Sequence, residues 1–199
     1  MASPDSLEQA VSCYIEGYRE DRREYLRFYE TTPKSISEAI CLATASNKPN
    51  SENRHPHQYR IKKNILNEAK RILRRAWELE NCKSFAHLHK CISNELKPLK
   101  GAGFLYYYDV AVRIGSYLGL EPTQVYLHAG ALTGAKNFGL ILHKGQTILD
   151  PKELPEPLHK LSAFEIEDFL CVMKDGVDLR GTSCNKSGLC GTKKSKSKC

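Results

Sequence analysis

Between Ile61 and Trp77 apolar residues recur every three or four positions. Ile61, Ile65, Leu66, Ala69, Ile72, Leu73, Ala76 and Trp77 fall on one stripe. A strand would alternate with a period of two, so this spacing fits an α-helix with one face against a core. The pattern repeats along the chain. Leu7, Val11, Tyr14, Tyr18, Tyr25, Leu26 and Tyr29 predict a long helix over residues 5–29, closed at Thr31-Thr32-Pro33 because the residue before proline avoids helical backbone. Ser35 with Glu38, and Ser162 with Glu165, have the spacing of capping boxes and open two more helices. Ser84 opens a helix through Phe85, Leu88, Cys91 and Ile92 that stops at Pro98; residues 104–118 form the next, and Pro122 opens another near 122–136. Residues 46–59 read as a polar loop. The alternation in Gly139–Leu142 and Thr147–Leu149 leaves room for one small β-hairpin.

The expected fold is therefore mainly α: a compact helical domain over residues 1–176, followed by a disordered basic tail over 177–199. That tail is made of Gly, Ser, Thr and Lys and has too little apolar surface to order itself. Its composition also governs the net charge of +7, since six of the 30 basic residues lie beyond Asp178 with no acidic partner. The other 24 face 23 acidic residues, so the domain is close to neutral and a binding argument must rest on local patches. No basic-then-apolar leader and no apolar run of about 20 residues is present. The expectation is a cytoplasmic protein without membrane contact, whose Cys13, Cys41, Cys82, Cys91 and Cys171 are reduced, part-buried thiols. Cys184, Cys190 and Cys199 lack the short paired spacing of a zinc site, and His87 and His89 point to different helix faces. No metal or cofactor is expected from these spacings.

The motif with chemical content is Leu99-Lys100-Gly101-Ala102-Gly103, set between two helices. Glycines at alternate positions permit a tight reversal and let backbone N–H groups reach a phosphate unobstructed. The N-terminus of the following helix adds a favourable field for the same anion. Such a turn holds nucleic-acid backbone without reading sequence. A second basic element is the polar face of the Ile61–Trp77 helix, with Lys62, Lys63, Lys70, Arg71, Arg74 and Arg75, diluted by Glu68, Glu78 and Glu80. His55 and His57 are expected in a solvated loop, and Tyr106, Tyr107 and Tyr108 mainly in the core.

The stretch LKGAGFLYYYDVAVRIG resembles the helix-hairpin-helix of the endonuclease III class of DNA glycosylases. Val125, His128 and Phe138-Gly139-Leu140 extend the likeness over roughly residues 84–140. The resemblance implies a helix-hairpin-helix near residues 84–118 that grips DNA backbone. It also places Tyr107 where that family has its catalytic lysine and Tyr126 where it has its catalytic aspartate. Tyrosine forms no Schiff base and offers no carboxylate, and the family's cluster-binding cysteines are absent. The expected function is thus backbone-directed binding of nucleic acid, duplex DNA first, without glycosylase chemistry. The first alternative is an enzyme on the same scaffold with a different catalytic set drawn from Asp109, Tyr126 and His128. The second is a helical protein-interaction module.

Overall fold

The structure is a computed structural model that describes residues 4–55 and 58–175; the expected tail at 177–199 lies outside them, as do His57 and the side chain of Trp77. Among the described residues there are eight α-helices and one two-stranded antiparallel sheet. The helices are α1 (Pro4–Gly17), α2 (Arg19–Thr31), α3 (Ile36–Ala45), α4 (Lys63–Leu73), α5 (Phe85–Leu96), α6 (Phe104–Leu118), α7 (Ala129–Asn137) and α8 (Ala163–Val172). The strands are β1 (Val125–Tyr126) and β2 (Ile148–Leu149).

Helix starts follow the serines. The Ser35, Ser84 and Ser162 hydroxyls accept from the backbone N–H groups of Glu38, His87 and Glu165. Only Ser162 completes a reciprocal capping box; Glu38 turns its carboxylate to the N–H of Lys34 instead. Gly119, at φ 68°, ends α6 in the left-handed conformation that glycine adopts without strain.

Three expectations need correction. The helix expected over residues 5–29 is two helices, broken at Tyr18 (φ −130°, ψ −32°), which follows Gly17 and stacks on Tyr14. The stripe from Ile61 to Trp77 is helical only from Lys63 to Leu73; after a turn, Trp77–Asn81 form a 3-10 segment. Near 122–136, Val125–Tyr126 are extended and α7 begins only at Ala129, because β1 pairs with β2 in the register Val125 to Leu149 and Tyr126 to Ile148. The small sheet therefore joins residues 125–126 to 148–149 rather than 139–142 to 147–149.

Two cores result. One surrounds α6, which packs against α2, α3 and α5, and is filled by residues such as Ile40, Leu66, Leu73, Leu88, Ile92, Tyr106, Val110 and Ile114. The other brings α1 back onto α8 and the segment before it, with Val11, Tyr14, Ala131, Leu158, Ile166 and Phe169. In it α7 lies directly on α8. Arginines of α2 join the parts electrostatically: Arg19 and Arg23 lie 3.0 and 3.3 Å from Glu165, and Arg22 lies 2.9 Å from Asp168. No helix among the described residues is long and apolar enough to cross a membrane.

Candidate functional site

The turn between α5 and α6 is tight because of Gly101 and Tyr107. Gly101 sits at φ 95°, so the backbone conformation favours glycine, and a Cβ there would also push on Ile65 Cδ1 of α4, 2.5 Å away, which can swing aside. Tyr107 points back into the turn, its hydroxyl 2.7 Å from the Ala102 carbonyl and 3.2 Å from that of Leu96. Gly103 differs from Gly101. Its φ of −116° suits any residue, and a Cβ there would meet nothing within 4 Å. As a glycine it caps α6 without a side-chain acceptor for the first-turn N–H groups. Lys100, Gly101 and Gly103 are exposed, as is Lys97.

The basic residues of α4 divide. Lys62 and Lys63 are exposed at its start, three and two residues before the Ile65 that lies under Gly101. Arg71 is committed to Glu68 through two hydrogen bonds of 2.9 and 2.5 Å, and its charge is locally neutralised. Lys70 is half-exposed, while Arg74 and Arg75 are exposed at the far end of the helix. Lys62 and Lys63 thus lie at the end of α4 nearer the Ile65–Gly101 contact, and Arg74 and Arg75 lie past its opposite end.

A second feature lies where α2, α6 and α8 face one another. A polar cavity is lined by Arg22 and Tyr25 of α2, His55, Leu105, Tyr108, Asp109, Val112 and Arg113 of α6, His128, and Phe164, Glu167, Asp168 and Cys171 of α8. Arg113 is fully buried, yet its guanidinium is well satisfied. It donates to the Tyr25 hydroxyl at 2.6 Å, the Ala43 carbonyl at 2.8 Å and Gln58 Oε1 at 3.3 Å, with Asp109 at 3.9 Å. Burial acts against its charge, but Tyr25 and Asp109 outweigh that and hold the guanidinium firmly protonated. Gln58 also donates to Asp109, at 2.5 Å.

At the other wall His128 Nε2 meets the Glu167 carboxylate. Burial pushes the Glu167 carboxyl up, against the pull of His128. Burial opposes a charge on His128 too, but the Glu167 contact, with Asp109 and Asp168 nearby, holds its imidazole above the ordinary histidine value. Tyr108 Oη and His128 Nδ1 are buried without a hydrogen-bond partner among the described residues. An acid, an imidazole–carboxylate pair and two cationic groups around one cavity suit binding and proton transfer on a small polar group.

Of the enzymatic candidates, Asp109 and His128 share this cavity and Tyr126 does not. Tyr126 belongs to the α6 core, its ring 5.3 Å from Tyr108 and 4.8 Å from His89. Tyr107 serves the turn. Tyr126 and His128 nonetheless share a neighbour, Tyr108, whose ring lies 5.3 Å from the one and 5.7 Å from the other. His55, expected in a solvated loop, is half-buried with its ring 5.3 Å from that of Tyr25. The sequence reading missed Arg22, Arg113, Glu167 and Asp168. One signal was available: Glu165, Glu167 and Asp168 crowd a helix otherwise read as apolar, and Arg19, Arg22 and Arg23 recur at helical spacing to meet them. Among the cysteines, Cys41, Cys82 and Cys91 are free thiols as expected, whereas Cys13 is disulfide-bonded.

Comparison of the chain with protein-family models, curated proteins and solved structures found no match.

Proposed function

We propose that the chain binds the phosphate backbone of nucleic acid, duplex DNA in the first place, through the Leu99–Gly103 turn, used as a helix-hairpin-helix. The observation that carries this reading is the uncapped, exposed start of α6 at Gly103, with Lys100 in the turn and Lys62 and Lys63 at the near end of α4. Backbone N–H groups, a helix dipole and lysines then act on one anion. Arg71, Arg74 and Arg75 contribute less, because the first is paired to Glu68 and the other two lie at the far end of the helix.

Gly103→Val tests it cleanly. The backbone there accepts a side chain and the space is open, so folding is kept apart from a capping loss of about 1 kcal/mol. The expected result is weaker binding, similar for unrelated duplexes, in a variant with an unchanged helical spectrum. Unchanged affinity in the well-folded variant sinks the turn as the contact. Lys62→Gln and Lys63→Gln should each lower the slope of log K against log salt by about 1. A second reading, an enzyme acting on a group held in the α2–α6–α8 cavity, is favoured by the convergence of Asp109 and His128 there. It requires base release or strand cleavage that disappears in His128→Gln; its absence from a range of normal and damaged duplexes leaves binding alone.

A further inference from the structure

We propose that Cys82, His87 and Cys91 form a binding site for a zinc ion. Their ligand atoms, two sulfurs and one imidazole nitrogen, all lie within 4.8 Å of one another. None of the three lines the polar cavity or belongs to the Leu99–Gly103 turn, so the site is independent of the proposed function.

Local structure explains the convergence. His87 and Cys91 stand four residues apart on α5, and an i, i+4 pair shares one helix face. The Ser84 hydroxyl accepts from the His87 N–H at 3.2 Å and fixes the first turn that carries the histidine. Cys82 follows the 3-10 segment Trp77–Asn81 in an extended conformation (φ −61°, ψ 136°), which places its sulfur beside the same face. His89 is no competitor: it is buried on the opposite side, stacked 6.1 Å from Phe85 and 4.8 Å from Tyr126. The sequence spacing argued against a metal because it shows no paired Cys-x-x-Cys. The fold supplies a third ligand from a different element.

The donor set selects the ion. Two thiolates and an imidazole suit zinc and exclude calcium and magnesium, which take oxygen ligands. With Zn–S near 2.3 Å and Zn–N of about 2.0–2.1 Å, tetrahedral ligand atoms stand roughly 3.5–3.8 Å apart. The cluster therefore closes on an ion by about 1 Å of side-chain rotation. Cys82 is buried, Cys91 half-buried and His87 exposed, so the site opens to solvent on one side, where water takes the fourth position. Binding releases the two thiol protons and ties the 3-10 segment to α5.

The test uses the full chain, reduced and stripped with a chelator, with cobalt(II) as the spectroscopic probe and zinc as competitor. The expected result is tetrahedral visible bands and sulfur-to-cobalt charge transfer at one equivalent, abolished by zinc. Zinc should also raise the melting temperature. Cys91→Ser, at the edge of the core, and His87→Gln, on the surface, should keep the helical spectrum. Each should weaken binding by more than the roughly 10- to 100-fold that follows loss of a group merely hydrogen-bonded to a ligand. Cys91→Ser should also lose part of the charge-transfer band, while His87→Gln keeps the sulfur transitions at higher cobalt. A triple Cys184→Ser, Cys190→Ser, Cys199→Ser variant should bind as tightly as the unmodified chain. Absence of a tetrahedral spectrum overturns the site, and so does a spectrum of full strength in Cys91→Ser and His87→Gln.

Discussion

Arg113 shows how a single side chain can decide between burial and charge. Desolvating a guanidinium costs several kcal/mol, and here each of its three nitrogens finds one acceptor while the Asp109 carboxylate lies 3.9 Å away. Tyr25, Ala43 and Gln58 supply those acceptors from α2, α3 and the 46–59 loop, so one residue of α6 ties together three distant segments. Arg113→Met keeps the aliphatic stem and leaves those polar groups unsatisfied in the interior. It should lower stability by about 3 kcal/mol or more, read from urea midpoints at neutral pH. A loss under about 1 kcal/mol would mean that water replaces the guanidinium and that the site is wetter than its burial implies.

At the scale of elements, α7 and α8 lie closer than ordinary helices can. A Cβ on Gly134 would fall 1.9 Å from the Leu170 carbonyl oxygen, and one on Gly130 2.7 Å from Cys171 Sγ. In an exposed helix, exchanging glycine for alanine gains roughly 1 kcal/mol of propensity. At Gly134 the obstacle is backbone, which does not swing aside, so overpacking of about 1–3 kcal/mol or more prevails. Gly134→Ala should be clearly destabilised in thermal melts, and a stabilised variant would show that the two helices slide freely. Gly130→Ala should suffer less, because a thiol can rotate.

The same scale shows what a sequence can reveal. Caps and breakers are local chemistry, and Ser35, Ser84, Ser162, Pro33 and Pro98 mark true helix ends. Residues 122–128 misled because Pro122 has a helical signature, while their fate is set by pairing with Ile148 and Leu149, over twenty residues away. The turn at 99–103 was legible because its glycines stand two residues apart between two helical patterns. The cavity was not, because its lining runs from Arg22 to Cys171 and each member alone looks like an ordinary polar residue on an amphipathic helix. The Cys82–His87–Cys91 cluster falls between these cases. Its two α5 members follow from helical spacing, and the third depends on where the 3-10 segment ends.

For the whole molecule, proton binding at the cavity couples to the union of the two cores, because His128 and Glu167 stand where the α8 side faces α6. Both groups are held above their ordinary values, 6.5 and 4.5. A group with a raised folded-state value stabilises the fold fully below its unfolded value and loses that contribution as pH rises through the folded one. For His128 the loss therefore begins above pH 6.5. His89 acts oppositely: burial lowers its value, so its contribution is present above 6.5 and fades as pH falls below it. The two histidines thus act in separate windows. Between about pH 7 and pH 9 the urea midpoint should fall with rising pH, since the native state then binds more protons than the unfolded chain. His128→Gln should remove most of that slope while leaving the decline toward acid that belongs to His89. Asp109 and Asp168 face the same imidazole and add to its hold on the proton, so Asp109→Asn should shift the fall to lower pH without abolishing it. A midpoint that climbs between pH 7 and pH 9 in the unmodified chain would show that the Glu167 contact does not retain a proton on His128.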